Sequence, residues 1–131
     1  MNSDNMPPNG YCDSLSCLHA LEHFGLGRYN DPIDVVGYEN GIKNMAKLLS
    51  QNGTFYLSVP IGIERVEFNA NRVFNPINII ETALKCKLIL NRLIVIESNG
   101  KYYDAQLNSA AALTRLSDMS YNLGIFIFKK Q

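Results

Sequence analysis

The sequence predicts an α/β domain, in which helices alternate with the strands of one sheet. Apolar residues recur at helical spacing from Gly37 to Gln51, and the strand-like run TFYLSVP follows immediately after Asn52-Gly53. A helix joined through a tight glycine turn to an apolar strand is the second half of a β–α–β crossover. The first strands are therefore expected to be parallel, and the last strand is expected to be antiparallel.

The first half of the chain contains three predicted elements. SLSCL (14–18) is a short apolar run typical of a buried strand. The helix near 38–51 carries its apolar residues on one face, and Asn52-Gly53 is expected to end it as a left-handed cap. The next strand, 54–60, ends at its proline.

The second half begins with a long connection, IGIERVEFNANRVFN, whose length is typical of functional or mobile loops. Asn75-Pro76 combines a helix N-cap with a proline in the first turn, which predicts a helix near 76–86. Its apolar face is expected to include Ile77, Ile80 and Leu84, flanked by Ile79 and Ala83. A turn and a short helical turn separate the two remaining strands, predicted near 93–98 and 122–129.

Length and composition are those of one globular domain. The chain has 131 residues, of which 47% are hydrophobic and 18% charged. Residues 1–10 are polar and are expected to form a flexible arm, and 11–131 a single domain. Twelve basic and twelve acidic residues cancel, which argues against a nucleic-acid binder.

The cysteines and the hydropathy indicate a protein of the cytoplasm. Three cysteines without C-x-x-C spacing are expected to be reduced thiols, with Cys17 buried. The first residues have neither the basic region nor the apolar core of a signal peptide. No apolar run approaches the roughly 20 residues that span a bilayer, so no membrane association is expected.

HALEH matches the H-x-x-E-H zinc motif through His19, Glu22 and His23. A zinc site needs these histidines on a stable helix and a third ligand. Gly25 and Gly27 would break such a helix, and the sequence singles out no third ligand. No metal site is therefore expected, and a metallohydrolase is kept as a distant alternative.

Two longer segments, CDSLSCLHALEHF and KLLSQNGTFYLSVP, together resemble the carboxyl half of a class I S-adenosylmethionine-dependent methyltransferase. In that family an Asp-led fourth strand ends in a segment of the L-E-H type. The helix before the fifth strand ends in L-K-P-G-G, where this chain has Ser50-Gln51-Asn52-Gly53. The resemblance implies a partial Rossmann-like methyltransferase sheet, with strands equivalent to the fourth to seventh of the family.

A more specific resemblance is to an uncharacterised family of methyltransferase-like proteins, classed as a domain of unknown function and first noted in nematode sequences. Its pattern L-S-x-x-H-x-x-E-H-x-G-L-G-R-Y-G-D-P is similar to LSCLHALEHFGLGRYNDP, and its F-N-A-H-R to FNANR. Asn71 replaces the histidine of the second motif, which puts proton transfer at that position in doubt.

The resemblance implies S-adenosylmethionine as a possible cofactor, with Cys17, Leu18 and His19 beside it. The family's first strand, glycine-rich turn and ribose-binding acidic residue have no counterpart before Asp13. We therefore expect incomplete cofactor binding by this chain. We also expect association with another copy or a partner chain through the strand at 14–18, whose edge the first strand would otherwise cover.

Candidate catalytic residues are His19, Glu22 and His23, because open α/β sheets bind ligands at the carboxyl ends of parallel strands. Acid–base chemistry or substrate positioning is one interpretation, and hydrogen bonding that fixes the loop is the other. Arg72, in FNANR, is the fourth candidate.

Candidate substrate-binding residues are Arg28, Asn69 and Asn71. Arginine grips carboxylate or phosphate through its planar fork, although Arg28 is also placed to brace its loop through nearby aspartates. The asparagines are suited to an unknown polar small molecule, and asparagine is also an ordinary loop residue.

Three functions remain open. The first is a methyltransferase-like protein that is incomplete or degenerate for cofactor binding. The second is an active methyltransferase or small-molecule binder completed by oligomerisation or a partner chain. The third is the metallohydrolase.

Overall fold

The computed structural model describes Gly10, Cys12–Leu18, residues 37–66 and residues 72–131. Within these residues the chain forms the following elements in order: β1 (Cys12–Leu18), α1 (Gly37–Leu48), β2 (Leu49–Ile61), β3 (Arg65–Val66), β4 (Arg72–Val73), α2 (Pro76–Lys85), β5 (Leu88–Ile96), β6 (Tyr102–Asp104), α3 (Ala110–Asp118) and β7 (Asn122–Lys130). None of the helices in these ranges has the length and hydropathy needed to cross a bilayer.

Five strands form one mixed sheet in the order β1-β2-β7-β5-β6. β1 and β2 are parallel, whereas β7 is antiparallel to both of its neighbours, β2 and β5. The predicted α/β class, the parallel first pair and the antiparallel last strand are thus confirmed.

Helix α1 buries the face that its periodicity predicts, including Tyr38, Ile42, Met45 and Ala46. It ends at Leu48, three residues before the predicted end, because the fully buried Leu49 already belongs to β2. Because α1 ends at Leu48, the side chain of Leu49 points into the core as part of β2.

Asn52-Gly53 lies in a bulge of β2, so its predicted role as the helix cap is wrong. Cys12 pairs with Leu49 and Ser14 with Thr54, which leaves extra residues on β2 between the two pairs. Asn52 does adopt the predicted left-handed conformation, with a φ of 67°. The conformation was predictable, but the element that contains it was not.

The bulge approaches β1 closely through Ser50 and Gly53. The Ser50 hydroxyl donates to Asp13 Oδ1 at 2.6 Å and lies 3.1 Å from the Cys12 carbonyl oxygen. A Cβ on Gly53 would come within 2.8 Å of the Ser50 carbonyl oxygen, so this position requires glycine. Side chain and backbone together fix the bulge against the start of β1.

Helix α2 begins as predicted. The Asn75 side chain accepts a hydrogen bond from the Ile77 N–H at 2.9 Å, and Pro76 occupies the first turn. Ile79 and Ala83 are fully buried, whereas Leu84 is 57% exposed. The buried face of α2 is therefore rotated from the predicted face toward Ile79 and Ala83, because these two side chains are the ones that pack on the sheet.

Two connections contain more structure than predicted. The long connection after β2 includes the small β3–β4 pair, and Phe74 bridges to Ile61 at the end of β2. The region after β5 forms strand β6 and the nine-residue helix α3. The Ser109 hydroxyl caps α3 by accepting from the Ala112 N–H at 3.2 Å.

The two faces of the sheet differ in burial. Phe55, Leu57, Phe126 and Phe128 lie on the face that packs against α1 and α2, and they have no solvent-accessible surface. On the opposite face the side chains of β7 are partly exposed, and Tyr56 of β2 is 37% exposed. In the described part of the chain, one face is covered and the other is covered incompletely.

Strand β1 is an edge strand of the described sheet and is only partly buried, so the prediction of a buried strand is wrong. Cys17 is buried as predicted, and Leu15 packs partly against the core. Ser14 and Ser16, on the other face, are exposed. The alternation reflects a strand with one face on the core.

Candidate functional site

The candidate site is built at the carboxyl ends of β1 and β2. Leu18, the last residue of β1, pairs with Ser58 of β2, and β2 continues to Ile61. Because β1 and β2 are parallel, both strands end at the same edge of the sheet. This edge is where open α/β sheets bind ligands.

A cation–π cluster lies beside the end of β2. The Arg72 guanidinium carbon is 5.2 Å from the centre of the Tyr38 ring and 5.9 Å from that of Phe74. The two rings are themselves 5.1 Å apart in an edge-to-face arrangement. The cluster joins the first turn of α1 to β4.

Backbone hydrogen bonds attach this cluster to the sheet. The Phe74 N–H donates to the Pro60 carbonyl at 3.0 Å, and the Gly62 N–H donates to the Phe74 carbonyl at 2.9 Å. Gly62 has a φ of 152°, and a Cβ there would come within 2.5 Å of the Met119 carbonyl oxygen. Residues 72–74 are therefore held against the end of β2.

Burial raises the pKa of the Tyr38 phenol, and the nearby carboxylates of Glu39 and Glu64 raise it further. The neutral phenol is thus the stable form over a wider pH range than in water. Glu64 is oriented by Asn78, whose side-chain amide donates to it at 2.9 Å.

The geometry of Arg72 suits it to bind an anion. A guanidinium that stacks on aromatic rings through its face keeps the N–H groups of its edge as donors. No carboxylate within the described ranges lies at ion-pair distance from Arg72. Arg72 was predicted as a site residue, and the structure adds Tyr38 and Phe74 as its support.

Ser58 is a further polar residue at this edge, and the sequence analysis missed it. It is 4% exposed and pairs in register with Leu18 on one side and Ile125 on the other. Buried hydroxyls are costly unless they are hydrogen-bonded. A serine inside the apolar run FYLSVP was the available signal.

Of the other predicted site residues, Cys17 and Leu18 lie at the end of β1, beside β2. The remaining ones lie outside the described residues and stay predictions: His19, Glu22, His23, Arg28, Asn69 and Asn71. The described ranges contain no group of three or more His, Cys, Asp or Glu residues that could hold a metal.

A family model of Caenorhabditis proteins of unknown function, DUF268, matches residues 9–90, more than half of the chain. The chain belongs to this family. The match confirms the resemblance to a domain of unknown function first noted in nematodes. No curated protein shows significant sequence similarity to this DUF268 chain.

Solved structures share the fold at low sequence identity. The 1,6-didemethyltoxoflavin-N1-methyltransferase of Burkholderia thailandensis, solved with S-adenosylhomocysteine, has a TM-score of 0.58 and 14% identity over 97% of this chain and 47% of its own. The cyclase SpnF has a TM-score of 0.64 and 11% identity over 99% and 55%. The phosphoethanolamine N-methyltransferase 2 of Haemonchus contortus has a TM-score of 0.54 and 12% identity over 93% and 34%.

These similarities establish a Rossmann-like methyltransferase fold for the DUF268 chain, as predicted. The chain spans about half the length, or less, of these structures. One of them is described as a cyclase, so the fold by itself does not determine the reaction.

Proposed function

We propose that this chain supplies the acceptor-binding side of an S-adenosylmethionine-dependent methyltransferase. The observation that carries the proposal is the position of the Arg72 cluster beside the carboxyl end of β2, in a methyltransferase-like fold. The cofactor supplies the methyl group. Arg72 holds a carboxylate or phosphate group of the acceptor, and Tyr38 and Phe74 fix the orientation of the guanidinium.

The described residues fit one side of the cofactor only. The end of β1 and the paired Ser58 of β2 form the described part of the edge beside which the cofactor would lie. The described sheet has no strand on the outer side of β1. The chain alone is therefore expected to bind S-adenosylmethionine only weakly.

The cofactor side of the site is completed by polypeptide that packs against β1 and the incompletely covered face. The greater length of the similar structures and the partly exposed side chains on this face support this step. A second copy, a separate partner chain or a further part of a longer chain would supply it.

An NMR titration of the 15N-labelled chain with S-adenosylhomocysteine at millimolar concentration tests the proposal. We expect weak, saturable shifts of the backbone amides of Cys17, Leu18 and Ser58. The amides of Leu88 and Lys129, which lie at the opposite edge of the sheet, serve as internal controls and should not shift.

Two results would overturn the proposal. One is the absence of shifts at the ends of β1 and β2. The other is a stoichiometric effect of zinc that is lost in His23→Ala, which would restore the metallohydrolase alternative.

A further inference from the structure

A second concave site lies between α1, α2 and the end of β7. It has a volume of about 620 Å³, within the usual range of small-molecule sites. Five of the seven lysines of the chain line it, and Glu39 is the one carboxylate among its described lining residues. The lysines are Lys43, Lys47, Lys85, Lys87 and Lys130.

Within the described ranges, the positive charge of this lysine cleft is not neutralised by ion pairs. No carboxylate in the described ranges lies at ion-pair distance from any of the five lysines. Lys130 donates to the carbonyl oxygens of Ala46 and Leu49, at 2.8 Å each, and these groups carry no net charge. Because the whole chain is neutral, the charge is concentrated locally.

Helix geometry explains only part of this concentration. Lys47 and Lys85 lie in the last turns of α1 and α2, where a cation complements the helix dipole. Lys43 lies in the middle of α1 and has no such role. Lys87 follows α2 with a φ of 65°, a conformation that glycine or asparagine adopts more easily.

We propose that the lysine cleft binds a compact polyanion, a small molecule that carries two or more phosphate groups. A concave site between two helices suits a small ligand rather than an extended nucleic-acid strand. Among the described residues, the cleft touches the Arg72 cluster only through Glu39 and Thr82, which interact with the Tyr38 phenol, and its lysines extend away from that cluster. Lys130 pairs with Leu88, the first residue of β5, at the end of the sheet opposite Ile61.

Calorimetric titration with inorganic tripolyphosphate at low ionic strength tests the proposal. Each charge-assisted hydrogen bond contributes about tenfold to affinity, so K43Q/K87Q should bind about 100-fold more weakly than the parent chain. K101Q/K129Q changes the two lysines outside the cleft and alters the net charge equally. It should bind within about twofold of the parent.

The Lys87→Gly variant separates a loss of binding from a loss of folding. Glycine accepts the positive φ of this position, so the variant should melt no lower than the parent chain. We expect it to bind tripolyphosphate about tenfold more weakly all the same.

Cys86 also lines the lysine cleft, so a ligand bound there should restrict access to its thiol. Burial raises the pKa of the Cys86 thiol, and only the thiolate reacts with an alkylating agent. The alkylation of Cys86 is therefore measured at mildly alkaline pH, by peptide mass spectrometry. Tripolyphosphate should slow the alkylation of Cys86 and leave that of Cys12 unchanged.

Three results would overturn the proposal. They are the absence of binding, an equal loss in the two double variants, and tighter binding of a single-stranded oligonucleotide than of tripolyphosphate. The second would indicate a response to net charge, and the third an extended nucleic-acid surface.

Discussion

Arg72 illustrates what single residues reveal before the fold is known. The motif FNANR drew attention to this arginine, but no local pattern connects it with Tyr38, which belongs to a distant helix. Tyr38 was predicted only as part of the apolar face of α1. Its contact with the guanidinium depends on how the end of β2 brings α1 and β4 together.

Replacing Arg72 tests the cation–π cluster. Arg72→Ala should lower the free energy of unfolding by about 1 kcal/mol, because both ring contacts are lost. Arg72→Lys should keep part of this stabilisation. Urea denaturation gives the values, with the exposed Arg115→Ala as a control that should stay within about 0.5 kcal/mol of the parent. An Arg72→Ala chain as stable as the parent would contradict the cluster.

The raised pKa of Tyr38 predicts a specific response to alkali. Above about pH 10 the unfolded chain loses the phenolic proton while the folded chain keeps it. Stability that is present below this pH is therefore lost as the pH rises toward the folded-state pKa.

The stability of Tyr38→Phe should accordingly decrease less steeply over the same range. Urea denaturation at a series of pH values from about 8 to 11 measures the two slopes. Parallel slopes for parent and variant would contradict the prediction.

At the scale of elements, the signal for the start of a helix was reliable, whereas the Asn52-Gly53 signal for the end of one was not. Asn75-Pro76 fixed the start of α2 because capping is a local interaction. The end of α1 and the rotation of α2 depend on which side chains the sheet buries, here Leu49 and Ile79. Periodicity cannot show this, since several adjacent apolar residues fit the same helical face.

The cap of α2 can be tested by substitution. Asn75→Ala should lower the free energy of unfolding by about 1 kcal/mol, because the Ile77 N–H loses its acceptor. Asn75→Ser restores an acceptor at the cap and should recover most of the loss. Thermal melts of the three chains measure the difference, and equal melting of the alanine and serine variants would argue against the capping interaction.

At the scale of the whole molecule, β1 is the outermost strand on its side of the described sheet, a position that favours pairing with another chain. The parallel pair and the antiparallel final strand were predictable from the order of helices and strands. The lysine cleft was not, because its lysines are spread from Lys43 to Lys130 and meet only after folding.

We expect the chain to associate through the β1 edge. Ser16→Lys places a charge on this exposed part of the strand and should reduce the association, since charged side chains protect sheet edges. Ser98→Lys, in the exposed turn after β5, is the matched control. Light scattering at increasing concentration measures the mass, and a monodisperse monomer at every concentration would exclude association.

Affinity for S-adenosylmethionine tests whether the site is complete in this chain. A chain that contacts one side of the cofactor is expected to bind with a dissociation constant above about 100 μM, equivalent to roughly −5.5 kcal/mol or weaker. Calorimetry on the purified chain measures this value. Binding at low micromolar concentration would show that the cofactor site is assembled within the chain by other residues.

The central position of β7 has a consequence for folding. β7 follows all the other strands along the chain, yet it lies between β2 and β5 in the sheet. The β5–β6 hairpin joins neighbouring segments and can form early. The pairing of β2 with β7 joins segments that are far apart in sequence, and such pairing makes folding slow. Until β7 docks, β2 and β5 each present an open edge, so the partly folded chain is most prone to aggregation just before its last strand is inserted.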